Sequence, residues 1–191
     1  MGKLRVIETK LKGVKMIEPT VFTDQRGFFI ESYSEADFKA AGIDTRFVQD
    51  NHSLSVQPNV LRGLHFQKGE AAQTKLIRVV TGAVFDVIVD IRKGSPTYGE
   101  WESHILSVYN QRQLLVPKGY AHGFVTLTSD VNFLYKCDHY YNASADGGIN
   151  FNSPELGIEW PIDLKKIISS KKDIQLPTFS EFEAENPFIF G

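Results

Sequence analysis

Short runs of β-branched and aromatic residues recur along most of this chain, broken at close intervals by Gly, Pro, Asn and Asp, with almost no room between them for crossover helices. Parallel strands need connections of about a dozen residues or more, so this rhythm points to an all-β antiparallel sandwich or barrel. The spacing predicts strands over residues 14–18, 27–33, 46–52, 60–67, 74–81, 83–91, 102–108, 113–116, 122–128 and 131–140. In "AVFDVIVDI", Ala83, Phe85, Val87, Val89 and Ile91 share one face, while Asp86 and Asp90 share the other with Val84 and Ile88. One face therefore reads as core and the other as mixed. Fourteen Phe and seven Tyr supply the large side chains that such a core uses. One short helix is expected in "SEADFKAAG", with Ser34 as cap, Asp37 at the reciprocal capping position and Gly42 as stop. From about residue 164 onward Ser, Lys and Pro break the periodicity, which predicts a wrapped or loop-like tail on a single domain spanning 1–191.

Charge narrows the partners. The 21 basic and 23 acidic side chains leave a formal charge of -2, so no broad basic field draws nucleic acid or an anionic membrane, and any anion site must be local. Even "AVFDVIVDI" carries two aspartates, and no run approaches the roughly 20 apolar residues that cross a bilayer. The lone Cys137 cannot close an intramolecular disulfide and no leader pattern opens the chain, so the expected setting is cytoplasmic.

Against that frame, "LRGLHFQKGEAAQTKLIRVV" is anomalous, because Arg62, His65 and Lys75 sit in runs where a core wants Val or Ile. If the turn centres near Glu70 in an antiparallel hairpin, His65 lies opposite Lys75 and the two point to one face. Arg62, three residues from His65, faces the other way in a regular strand unless a bulge or a strand end intervenes. The competing reading is a hydrogen-bonded core histidine flanked by two surface cations. In "VPKGYAHGF", Pro117 and Gly119 mark a tight turn and His122 opens the next strand. That spacing resembles the second motif of the cupin jelly rolls, many of which hold a metal. Gln67 stands where their second histidine ligand belongs and Glu70 comes too early, so no metal is expected. In "FLYKCDHYY", alternation places Phe133, Tyr135, Cys137, His139 and Tyr141 on one face, either as a core stripe or with a tyrosine hydroxyl at a barrel mouth. Cys137 reads as a small buried residue rather than a nucleophile.

Taken in order, "FTDQRGFFIESY", "FVQDNHSLS", "LRGLHFQ", "KLIRVVTGAVFDVIVDIR", "SPTYGEW", "VPKGYAHGF", "LYKCDHYY" and "LGIEWPI" resemble the dTDP-4-dehydrorhamnose 3,5-epimerases from about Lys12 to Asp173. The resemblance implies a cupin-type jelly roll acting on a dTDP-sugar without cofactor, usually a homodimer whose sheets exchange N-terminal strands. His65 then matches the catalytic base and Asp173 the carboxylate paired with it, although an Asp in "SKKD" otherwise reads as solvated. Tyr135 matches the general acid and Lys75 the lysine near the sugar oxygen. Arg26, Glu31, Gln49, Asn51, Arg62, His122 and Lys172 match substrate-binding positions, and Tyr141 the tyrosine that stacks on thymine. The chain departs from the family after its double tyrosine, where a Glu-Arg pair is common and Asp146 and Gly147 stand instead; Asp146 is carried over as a substrate contact on that weaker match.

The residue types suit the chemistry so implied. A C4 ketone acidifies the hydrogens at C3 and C5, a histidine oriented by an aspartate can take one, and a cation can stabilise the enolate. Inversion then needs a second proton carrier on the other ring face. Rival readings are a single-carbon epimerase or ketoisomerase on a related nucleotide sugar, and a non-catalytic sugar-binding jelly roll.

Overall fold

A computed structural model describes residues 4 to 190; residues 1–3 and 191 of the expected 1–191 span lie outside the described residues. The elements in chain order are β1 (Leu4–Glu8), β2 (Lys15–Pro19), β3 (Val21–Asp24), β4 (Gly27–Ile30), α1 (Glu35–Ala40), β5 (Gln49–Ser55), β6 (Leu61–Gln67), β7 (Lys75–Thr81) and β8 (Ala83–Asp90). They continue with β9 (Trp101–Ser107), β10 (Gln113–Val116), β11 (Tyr120–Thr126), β12 (Val131–Cys137), β13 (Asp146–Gly148), α2 (Lys171–Ile174) and α3 (Phe179–Glu185). Two antiparallel sheets face each other as a cupin-type jelly roll, one ordered β1-β2-β10-β7-β12-β5 and the other β13-β6-β11-β8-β9. Strands β3 and β4 form a separate two-stranded ribbon.

All ten expected strands are present, with bounds displaced by up to three residues, and β1, β3 and β13 were not foreseen. The expected hairpin of residues 61–80 is not formed. A 3-10 turn over Gly69–Ala71 carries the chain from one sheet to the other, so β6 pairs with β11 and β13 while β7 pairs with β10 and β12. Sequence adjacency of two strands does not reveal whether they are neighbours in one sheet or opposite each other in two.

Both faces of β8 are packed. Val84 and Ile88 join Ile77, Leu114, Phe124 and Phe133 between the sheets, and Val87 and Val89 join a second core on the outer face. That outer core is closed by the C-terminal segment, which is not simply loop-like. Thr178 and Glu181 form a reciprocal capping box, and α3 lays Phe179 and Phe182 against Phe66, Trp160 and the β8 face. Burying each phenyl ring contributes about 1.5 to 3 kcal/mol, enough to hold the tail in place. The expected strand over 131–140 ends at Cys137, where Asp138 turns its side chain onto the Thr74 N–H at 2.7 Å, so His139 and Tyr141 do not share the face of Tyr135. Ser34 caps α1 as expected, accepting from the Asp37 N–H, and Phe38 seats the helix on the outer face of the six-stranded sheet. No helix among the described residues is long and apolar enough to cross a membrane.

Candidate active site

The disposition of Arg62 is settled by a bulge. His65 lies opposite His122 and Arg62 opposite Phe124, so three steps along β6 match two along β11. The extra residue returns Arg62 to the face of His65. Gly63 sits in the bulge with φ 127°, and a Cβ there would lie 2.5 Å from the Cα of Gly123, which leaves only glycine for this close crossing of β6 and β11.

A cavity of about 540 Å³ opens between the sheets and draws its walls from three sources. The five-stranded sheet supplies Arg62, His65, His122 and Phe124, the six-stranded sheet supplies Ser53, Lys75, Phe133 and Tyr135, and the tail supplies Ile168, Ser169, Ser170, Lys172 and Asp173. His65 and Tyr135 therefore stand on opposing sheets. His65 and Lys75 do meet at one site, though across the sandwich rather than across a hairpin. Phe124 stacks on Phe133 at 4.0 Å between centroids and gives the cavity an apolar floor. Arg62, Lys75 and Lys172 line it against one carboxylate, Asp173, which gives the cavity a local excess of basic side chains in a near-neutral chain.

Asp173 is 4% exposed, not solvated as its lysine-flanked sequence implies. Ile168 pairs in parallel with Val60, and Ser170 caps α2 by accepting from the Asp173 N–H at 3.0 Å, turning the carboxylate inward. One oxygen lies 2.9 Å from His65 Nε2 and the other accepts from the Gly63 N–H at 3.2 Å. Burial disfavours its ionised form, but the His65 hydrogen bond and charge, with the Gly63 and Ser170 contacts, outweigh it and hold the carboxyl below its ordinary range. With Nε2 committed to Asp173, Nδ1 is the ring nitrogen left for chemistry.

Among the described residues the Lys75 ammonium has no hydrogen-bond or ion-pair partner, and it stands 5.6 Å from the centroid of the Tyr135 ring. Desolvation pushes its ammonium pKa down, partly offset by Cys137, Asp146 and Asp86. Burial likewise pushes the Tyr135 phenol up, so it is held as a proton donor. His122 directs Nε2 onto both oxygens of Asp86 at 2.9 and 3.0 Å, in a buried pair stacked beside Phe133. Asp86 was not singled out as a site residue. Its signal was a carboxylate in the middle of an apolar strand, which demands a buried partner.

Other expected residues are placed around this cavity or away from it. Ser53, Asn51 and Gln49 lie opposite Phe133, Tyr135 and Cys137, so Gln49 and Asn51 continue the inward row of Ser53 along β5. Asn51 donates to Cys137 Sγ at 3.6 Å, and Gln49 accepts from the Tyr141 N–H at 3.0 Å, which ties the exposed Tyr141 ring segment to the end of β5. Burial pushes the Cys137 thiol up to about 11. Arg26 and Glu31 are not among the residues lining this cavity. Arg26 has an 86% exposed side chain paired with Asp24 at the tip of the β3–β4 ribbon, and Glu31 follows β4. Asp146 pairs with Lys172 and accepts from Gln67 Nε2 at 3.3 Å. Gln67, at the position of a cupin ligand, also accepts from the Asn142 N–H at 2.8 Å, and among the described residues no three His, Cys, Asp or Glu are grouped to hold a metal ion.

A jelly roll that sets a carboxylate-backed histidine on one sheet and a tyrosine on the other across one cavity suits a cupin-type isomerase. Residues 8–181 match the family model described as dTDP-4-dehydrorhamnose 3,5-epimerase, and the chain belongs to that family. It is 50% identical over 185 residues to the dTDP-4-dehydrorhamnose 3,5-epimerase of Salmonella typhimurium, covering 96% of this chain and 94% of the relative. Among solved structures, the Bacillus anthracis enzyme with TDP and PPi bound shares 50% identity at a TM-score of 0.89, covering 92% of this chain and 99% of that one. The Legionella pneumophila epimerase in complex with dTDP-4-keto-L-rhamnose shares 43% identity at a TM-score of 0.92, covering 98% of this chain and 99% of that one.

Proposed function

We propose that this chain inverts C3 and C5 of dTDP-4-dehydro-6-deoxyglucose, giving dTDP-4-dehydrorhamnose for deoxysugar biosynthesis, with neither metal nor redox cofactor. The observation that carries the reading is His65, backed by Asp173 at 2.9 Å on one sheet, facing Tyr135 on the other across a cavity that also holds Lys75. Nδ1 of His65 takes the proton from C3 or C5, and the C–H electron pair moves into the C4 carbonyl as an enolate. The Lys75 ammonium stabilises that oxygen, and Asp173 the imidazolium. Tyr135 then delivers a proton to the opposite ring face and recovers one from solvent, to which the His65 imidazolium releases the one it took. Donor and acceptor on opposing walls are what inversion requires and simple exchange does not.

In the same reading Arg62 and Lys172 hold the diphosphate, His122 is kept in place by Asp86, Gln49 and Asn51 meet the nucleotide end, and Tyr141 stacks its exposed ring on thymine. The working unit is a homodimer of single jelly-roll domains in the cytoplasm. Support for the dimer comes from the β3–β4 ribbon, whose Phe22, Phe28 and Phe29 are more than half exposed, and which carries Arg26 and Glu31 outside their own cavity. A partner's cavity would receive them.

The test is proton NMR of dTDP-4-dehydro-6-deoxyglucose with the protein in deuterated water. Label at C3 and C5 with inversion at both is expected, and His65→Asn should stop exchange while the protein stays folded. Binding without exchange would make the protein a sugar-binding module, label at one carbon alone a single-carbon epimerase, and activity lost to a chelator and restored by a divalent ion a metalloenzyme.

A further inference from the structure

The Asp146–Lys172 pair joins two parts of the chain that the jelly roll alone leaves separate. Asp146 opens β13, where it lies opposite Gln67, and Gly148 two residues on lies opposite His65. Lys172 is in α2, immediately before Asp173. The strand is pressed against its neighbour, since a Cβ on Gly147 would fall 2.5 Å from the Phe66 ring and one on Gly148 2.5 Å from the Leu64 carbonyl oxygen. Asp146 therefore has little freedom to move.

Its carboxylate is already occupied. One oxygen accepts from Gln67 Nε2 at 3.3 Å, the other from the Lys172 ammonium, and the side chain is only 16% exposed. Gln67 is itself fixed by the Asn142 N–H at 2.8 Å. A bare carboxylate is also a poor direct neighbour for a nucleotide diphosphate, which repels it. Lys172 is 56% exposed and lines the cavity, so its remaining donors can reach an anion while Asp146 holds the first. The same ion pair tethers one side of α2 to the barrel wall, complementing the Asn150 side-chain amide that donates to the Ile174 carbonyl at 2.9 Å.

We propose that Asp146 is a positioning residue that acts through Lys172, fixing the ammonium at the cavity wall and with it the turn that carries Asp173, and that it does not touch the nucleotide. This rests on the function proposed above. The Asp146 carboxylate reaches the lysine of α2, and the Phe66 ring leaves no room for a side chain at 147.

The test is a double-mutant cycle on Asp146→Asn and Lys172→Met, read by calorimetric titration with dTDP and by the downfield imidazole N–H resonance of the His65–Asp173 hydrogen bond. Asn is isosteric and its carbonyl oxygen still accepts from Gln67, so the fold is retained. Asp146→Asn is expected to weaken dTDP roughly three- to tenfold and to broaden the dyad resonance, as loss of one charge-assisted contact would. In the Lys172→Met background the same substitution should not weaken dTDP further and should leave the dyad resonance unchanged. Asp146→Glu, whose carboxylate still reaches the ammonium, should weaken dTDP less than Asp146→Asn. An Asp146→Asn effect undiminished without Lys172 would overturn the proposal by showing direct nucleotide contact, and so would an Asp146→Asn protein indistinguishable from the parent. Failure of the parent to bind dTDP would instead refute the proposed function.

Discussion

Replacing Asp173 by Asn tests whether the buried carboxylate supports the base or merely fills space. The amide keeps the volume and an oxygen for the Gly63 N–H, but removes the charge 2.9 Å from His65 Nε2. When His65 takes a proton, the parent gains a charge-assisted hydrogen bond between imidazolium and carboxylate, about 1.5 to 3 kcal/mol, which the neutral amide does not supply. At about 1.36 kcal/mol per factor of ten, proton abstraction should slow by roughly 10- to 150-fold. The assay is the initial rate of deuterium entry at C3 and C5, with dTDP affinity measured in parallel to show that the cavity is intact. Stability carries an independent signature. The Asp173 carboxyl is held below its ordinary value in the folded chain, so its contribution is complete above the unfolded value near pH 3.9 and is lost as pH falls through the lower folded value. The difference in melting temperature between parent and Asp173→Asn should therefore be constant at neutral pH and narrow only in acid. Exchange within about twofold of the parent, with dTDP affinity unchanged, would refute the dyad.

Tyr135→Phe leaves the ring and removes the donor, so exchange should persist with retained configuration while inversion falls by about 10² to 10⁴; equal loss of both, measured as the ratio of exchanged substrate to epimer, would deny a role confined to reprotonation. Gly63→Ala forces a Cβ onto the Gly123 backbone at φ 127° and should cost about 1 to 3 kcal/mol, seen as a urea midpoint shift together with lost exchange as Arg62 and His65 part; a neutral substitution would show that the bulge is not needed. Phe22→Ser with Phe29→Ser should shift the protein from dimer to monomer in sedimentation and weaken dTDP, whereas an unchanged sedimentation coefficient would leave the ribbon without its proposed partner.

Period-two alternation and the turn residues made the all-β architecture and most strands legible, because these signals are local. The ordered motifs likewise led to the family, and the anomalous polar residues in "LRGLHFQ" and "TKLI" marked His65 and Lys75 as residues needing a reason. What stayed hidden was non-local. Whether β6 and β7 pair side by side or oppose each other depends on which sheet each joins, and one 3-10 turn decides that. The facing of Arg62 turned on one extra residue in a bulge, and the Asp86 partner on a strand 36 positions away. The burial of Asp173 depended on a strap pairing Ile168 with Val60, 108 positions apart. Sequence by itself determined which groups had to be explained, since a charged or basic side chain in an apolar run is costly wherever it lies. Only the tertiary structure decided which of them meet, because two sheets and a tail converge on one cavity, and proximity across a sandwich leaves no period in the chain.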